Sequence, residues 1–206
     1  MKQLHLLILF FLIATFHGVG QKAATSSKKV SILFIGNSLT YTNNLPKLVQ
    51  KKAKKKGIKL HTTTVALPNY ALEDHWNDKK IQQLISNKSY DYVIVQQGPS
   101  SQQEGRAMLF EYGKKLQELC ATQQTQLCFF MVWPSLTYYH TFDKVIKNHQ
   151  DATQYTNARL LPVGEVWKNH FDSSKDFSYY GPDGFHPSLK GSQVAANVIV
   201  DYLFLK

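Results

Sequence analysis

Short apolar runs alternate with longer amphipathic segments along most of this chain. Residues 30–35 read as a buried strand closed by Gly36, and 92–95 is the most apolar of the strand candidates. Residues 127–133 form a further apolar run ended by Pro134, 159–163 a short one, and 59–65 alternate in the manner of a half-buried strand. Between them lie segments with helical spacing: 45–56, with Pro46 in the first turn and Gly57 at the stop, then 72–85, 103–122, 142–155 and 189–205. Strands that alternate with helices pair in parallel and carry helices on both faces. The pattern predicts a single α/β domain, a three-layer α/β/α sandwich around a central parallel sheet. Such a sheet presents its functional loops at the carboxyl ends of the strands.

The first 24 residues do not fit that alternation. Lys2 precedes an apolar stretch from Leu4 to Phe16, and small residues follow at Gly18, Gly20, Ala23 and Ala24. This is the layout of a secretory signal peptide, and the run is short for a spanning helix. The expectation is a removed leader over 1–24, a linker-like 21–29, one domain within 25–206, and a secreted or periplasmic protein with no stable membrane insertion once the leader is gone. An uncleaved N-terminal anchor is the alternative.

Composition changes the picture little. Of 206 residues, 43% are hydrophobic and 18% charged, which suits a globular domain and excludes a disordered or fibrous chain. A net charge of +10 is concentrated around Lys47, Lys51, Lys52, Lys54, Lys55, Lys56 and Lys59. Without aromatic interleaving or a nucleic-acid-binding signature, this run reads as a solvated helix face rather than a nucleic-acid site. Cys120 and Cys128 could form a disulfide in an exported protein or remain two buried thiols.

The chemistry lies at the two ends of the domain. The first strand runs into Gly36-Asn37-Ser38-Leu39-Thr40, where a serine follows a glycine that permits a tight turn. Gly-Asn-Ser also describes an ordinary turn. Near the other end, Gly181-Pro182-Asp183-Gly184-Phe185-His186-Pro187 carries an aspartate and a histidine three residues apart, just before the last helix. That loop could equally be a capping segment, with Ser188 as N-cap and Asp183 solvating a turn.

Together these blocks resemble those of the SGNH (GDSL-type) hydrolases, in which a Gly-Asp-Ser-Leu-like block follows the first strand and an Asp-x-x-His-Pro block precedes the last helix. The resemblance implies a flavodoxin-like fold and a carboxylic ester hydrolase without metal or organic cofactor. It further implies Ser38 as nucleophile, His186 as general base and Asp183 as the carboxylate that orients it. Asn37 stands where the family has aspartate, a position outside the triad. The family's oxyanion donors are the nucleophile N–H, a backbone N–H after the second strand, and a side-chain amide after the third. They fall here on Ser38, on Asn69 within Leu67-Pro68-Asn69-Tyr70, and on Gln96-Gln97-Gly98-Pro99-Ser100. The last block is similar to a glutamine variant found in some SGNH esterases, including carbohydrate acetylesterase-like ones. Neighbouring residues point to opposite faces, so one of Gln96 and Gln97 faces the site; Gln97 is preferred, and a register on Gly98 would put Ser100 there instead.

The remaining candidates are weaker. Glu73, Asp74 and His75 are adjacent on a helix and splay apart, a poor chelate. His61, His140, His149 and His170 are scattered. Trp133, Tyr138, Tyr139, Tyr179 and Tyr180 could line a site for sugar rings or pack in the core. The expected substrate is a small-molecule or carbohydrate ester, O-acetylated carbohydrate among them. The competing readings are a catalytically silent carbohydrate-binding protein of the same fold and an anion-binding module built on the lysine face.

Overall fold

The computed structural model describes residues 29–205; the expected leader lies outside them. Five strands form one parallel sheet: β1 (Val30–Gly36), β2 (Leu60–Ala66), β3 (Tyr92–Val95), β4 (Gln126–Phe130) and β5 (Arg159–Leu161). Their order is β2-β1-β3-β4-β5. The chain winds one way from β1 to β2 and the other way from β3 to β5, so the crossover directions part between β1 and β3. An open sheet of this kind has its crevice there, beyond the carboxyl ends of the strands.

Eight helices flank the sheet among the described residues: α1 (Ser38–Tyr41), α2 (Leu45–Lys55), α3 (Leu72–Asn77), α4 (Lys80–Asn87), α5 (Gln103–Thr122), α6 (Phe142–Thr156), α7 (Val163–Ser174) and α8 (Leu189–Phe204). Alternate residues of each strand point to opposite faces and build two cores. Ile32, Phe34, Ile94, Cys128 and Phe130 pack with α2, α7 and α8. Leu33, Ile35, Val93, Val95, Leu127 and Phe129 pack with α3, α4 and α5.

Three departures from the sequence pattern have local causes. The helix expected over 72–85 is two, because Lys79 adopts a left-handed conformation with φ 57°. The strand expected over 127–133 pairs only over 126–130, since its neighbour β5 is three residues long. Helix α7 was not anticipated at all. The cysteines are free and buried, and burial pushes both thiols up to about 12. Cys120, on α5, packs in the core on one side of the sheet, and Cys128, on β4, in the core on the other.

Candidate active site

The nucleophile turn follows β1 directly. An added Cβ at Gly36 would stand 2.4 Å from Thr40 Oγ1 and 2.5 Å from Gln96 Oε1, so only glycine fits. Asn37 is the N-cap of α1, with its Oδ1 accepting from Leu39 N–H at 3.2 Å. Its Nδ2 donates to Tyr70 O at 3.0 Å, which draws the β2–α3 loop against the turn. An aspartate could not make that second bond, so the substitution at this position has a structural consequence. His75, buried, holds Gly36 O through Nε2 at 2.8 Å. Burial pushes its imidazole below the ordinary histidine range, which favours the neutral ring.

The second half of the site is the loop before α8. Gly181 N–H donates to His186 O, Gly184 takes φ 65°, and Tyr180 and Pro187 form an isolated antiparallel bridge. The buried Trp133 indole donates to Phe185 O at 3.0 Å and stacks on Trp167 with centroids 3.5 Å apart. Leu136 N–H donates to Gly184 O at 2.8 Å. On the other side Asn43 Nδ2 donates to Pro187 O at 2.9 Å. The loop is therefore clamped between the exit of β4 and the segment after α1.

These two halves meet. Ser38 Oγ lies 2.9 Å from His186 Nε2, and His186 Nδ1 lies 2.5 Å from Asp183 Oδ2. Asp183 Oδ1 accepts the Phe185 and His186 N–H groups at 3.0 and 2.9 Å. The His186 bond and these backbone donors hold the Asp183 carboxyl below the usual carboxylate range. A carboxylate on Nδ1 fixes the proton there and leaves the Nε2 lone pair facing the serine hydroxyl. Such a chain can take a proton from an attacking hydroxyl and return it to a leaving group. Asp183 also organises its own turn and Ser188 also caps α8 through Gly191 N–H, so the turn-forming and chemical readings of this loop coexist.

Asn69 sits in the β2–α3 loop with φ 60°, a conformation glycine adopts freely and asparagine tolerates. Neither its N–H nor that of Ser38 has a hydrogen-bond acceptor among the described residues. The glutamines do not divide as expected. Gln97 is turned away: its amide nitrogen donates to Gly105 O at 2.9 Å and Ser100 Oγ at 3.3 Å, and its oxygen faces Leu72 N–H. Gln96 is the one against the nucleophile turn, its Oε1 accepting from Asn37 N–H and Thr40 Oγ1, both at 2.9 Å. Its Nε2 is buried and has no partner among the described residues. Ser100 is buried and bonded to Gly98 O.

The other candidates resolve as architecture. Glu73 accepts from Tyr112 Oη, Asp74 from Ala71 N–H, and no cluster of His, Cys, Asp and Glu among the described residues is arranged to hold a metal. Trp133, Tyr179 and Tyr180 are core, with Tyr180 Oη donating to Pro134 O. Tyr139 bonds Asp172, and Tyr138 alone of this group stands open to solvent. Sequence reasoning passed over Thr40, Asn43 and the acceptor role of Gln96, whose functions depend on partners far along the chain. No described helix is long and apolar enough to cross a membrane.

No family model and no curated protein matches the chain by sequence. Solved structures do. A protein of Slackia heliotrinireducens assigned as an SGNH hydrolase superposes with a TM-score of 0.71 at 22% identity, covering 85% of this chain and 99% of its own. The chain has the SGNH-hydrolase fold. A lipase/acylhydrolase from Enterococcus faecalis matches at TM-score 0.67 and 15% identity, covering 83% of this chain and 93% of its own. An acetyl-xylooligosaccharide esterase from Geobacillus matches at 0.62 and 14%, covering 86% and 95%. In this SGNH-fold chain the two sequence blocks that suggested the fold occupy the carboxyl edge of the sheet, where the hydroxyl, imidazole and carboxylate line up.

Proposed function

We propose that this protein is a serine esterase working by two-step acyl transfer. The observation that carries the reading is the continuous Asp183–His186–Ser38 hydrogen-bond chain at the carboxyl edge of the sheet. Ser38 Oγ attacks the ester carbonyl while His186 Nε2 takes its proton. The tetrahedral intermediate collapses as His186 returns the proton to the leaving alcohol. Water, deprotonated by the same nitrogen, then releases the acid and restores Ser38. Asp183 keeps the imidazole in the required tautomer and stabilises it when charged. The uncommitted N–H groups of Ser38 and Asn69 receive the negative oxygen. Gln96 acts behind them, fixing the turn through Asn37 and Thr40.

The apolar, small-residue leader read in the sequence supports export, so the reaction is assigned to the secreted or periplasmic space. An ester on carbohydrate, an O-acetyl group above all, suits that location, and an esterase of acetylated xylo-oligosaccharides shares the fold. The test is hydrolysis of p-nitrophenyl acetate and longer esters by wild type, Ser38→Ala and His186→Ala. Activity abolished in both variants is the expected result. Hydrolysis unchanged by Ser38→Ala would overturn the assignment, and a folded protein inert towards every ester would leave a carbohydrate-binding role.

A further inference from the structure

The charge of this chain is divided unevenly. Residues 29–72 hold eight lysines and no Asp or Glu, whereas from 73 to the end 14 acids face 13 lysines and arginines. The positive excess of the described residues therefore belongs to β1, α2, β2 and their connections, on the side of the sheet where β2 is the edge strand.

The fold gathers these lysines instead of scattering them. Lys47, Lys51 and Lys54 stand at i, i+4 and i+7 on α2 and so share one face. Lys29 before β1 and Lys59 before β2 join them around a groove of about 710 Å³ between α2 and β2. Ile58, Leu60 and the lysine stems give the groove apolar surface. Among the described residues no acidic or aromatic side chain lines it, and none of its five lysines has an ion pair. Lys56, outside the groove, does meet a carboxylate, that of Asp201 on α8. Lys47 and Lys51, one turn apart, form a like-charge pair that works against their own helix. The countercharge that this arrangement calls for is absent from its own walls.

The walls discriminate among polyanions. A nucleic-acid strand would find ammonium groups for its phosphates but no aromatic ring on which to stack its bases. A bilayer surface is flat, and α2 has no apolar face left to insert, because Leu45, Val49 and Ala53 are buried in the core. An acidic peptide would bring backbone N–H groups that lysine side chains, donors only, cannot receive. A linear acidic polysaccharide meets each condition. Its carboxylates or sulfates face the ammonium groups, its hydroxyls accept from them too, and the C–H faces of its rings lie on Ile58, Leu60 and the lysine stems. The rise of α2 spaces Lys47, Lys51 and Lys54 by about 6 Å and about 4.5 Å, a repeat comparable with one sugar ring. We propose that the α2–β2 groove binds a linear acidic polysaccharide and holds the protein on it. No residue of the Ser38–His186 site lines the groove. The polymer held there therefore need not carry the ester, and the groove's role does not depend on the esterase reading.

The experiment measures binding of polygalacturonate and of heparin by calorimetry over a range of salt concentrations. Wild type is compared with two triple variants, Lys47→Gln/Lys51→Gln/Lys54→Gln in the groove and Lys88→Gln/Lys114→Gln/Lys144→Gln outside it. All six positions are exposed and glutamine matches lysine in helix propensity, so both variants should melt with the wild type. The groove variant should bind about tenfold more weakly, the loss expected for three exposed ion contacts. Its plot of log K against log salt should flatten by about one for each lysine lost. The outer variant, equal in net charge, should stay within about twofold of wild type, because distant charges are screened. Binding of either polysaccharide satisfies the proposal, and the tighter one shows whether the groove prefers carboxylate or sulfate. Equal weakening in the two variants would overturn it in favour of diffuse attraction. So would a wild type that binds neither polysaccharide at low salt. Tighter binding of an oligothymidylate or of phosphatidylglycerol vesicles, lost in the groove variant, would overturn the choice of partner.

Discussion

Replacing Gln96 by methionine keeps the length of the side chain and removes its oxygen. Two donors then lose their acceptor: Asn37 N–H and Thr40 Oγ1, each 2.9 Å from Gln96 Oε1 and each in a buried residue. The backbone N–H cannot turn elsewhere, and leaving it unpaired costs about 1–3 kcal/mol. The hydroxyl can rotate, so its loss is nearer about 1 kcal/mol. Against this, the unpartnered Nε2 also disappears, which returns about 1 kcal/mol. The net expectation is destabilisation by about 2 kcal/mol, read as a lower urea midpoint at constant slope. Ester hydrolysis should fall about tenfold, in kcat rather than KM, because Asn37 is the residue before Ser38 and a looser turn misaligns the hydroxyl. A cycle with Thr40→Val isolates the bond. In wild type that change removes a partner; in Gln96→Met it removes an orphan, so the two should be coupled by about 1–2 kcal/mol. Additive effects, or a single-variant loss below about 0.5 kcal/mol, would refute the claim that Gln96 anchors the turn.

Three further expectations follow from particular residues. Gly191→Ala would set a Cβ 2.2 Å from Tyr179 O and 2.7 Å from Trp167 Cζ2, so thermal unfolding should fall by roughly 4–10 °C for about 2 kcal/mol or more of overpacking. Asn69→Gly should keep both stability and ester hydrolysis, whereas Asn69→Ala, strained at φ 60°, should cost about 1 kcal/mol and lower activity; equal behaviour of the two in melting and rate assays would count against the left-handed turn. Burial pulls His149 down to about 4 while its Nδ1 bonds Val145 O. The unfolded chain therefore takes up a proton that the folded one refuses between about pH 6.5 and 4, and stability falls as pH is lowered through that window, by up to about 3 kcal/mol. His75, shifted the same way, adds to the slope, so the comparison is of denaturant midpoints between wild type and His149→Phe, whose profile should be flatter.

The parts of this molecule that could be read from its sequence are those whose meaning is carried by residue type and local order. β3 and α5 stand where the apolar pattern put them, because Tyr92–Val95 is short and rich in β-branched and aromatic residues while α5 extends over 20 residues. The serine and the Asp-x-x-His pair announced themselves because their chemistry is rare and their order in the chain is distinctive. Helix α7 was hidden by its entry and its composition: Pro162 stands at the N-cap without a side-chain bond, and Trp167, His170, Phe171, Ser173 and Ser174 are indifferent helix formers. It forms because Trp167 and Phe171 are fully buried against the sheet, a tertiary effect. The glutamines failed for a related reason. Alternation said that they face opposite ways, which they do, but the choice between them depended on Asn37, Thr40, Ser100 and Gly105, none of which the pairing of Gln96 with Gln97 could reveal.

The Ser38–His186 contact joins residues 148 positions apart in the chain. Closing a loop of that length in an unfolded chain costs on the order of 4 kcal/mol in entropy before any contact forms. No local segment can hold these two groups together in advance, since the serine lies in the turn after the first strand and the histidine on the approach to the last helix. Hydrolytic competence thus requires the turn after β1 and the approach to α8 to be brought together, with α8 packed beside α2. A chain still emerging, before residue 186 has been made, would carry the nucleophile without its base. In a refolding experiment, recovery of ester hydrolysis should therefore trail the return of helical signal and coincide with completion of the native core, which makes the reaction itself a clock for the last step of assembly.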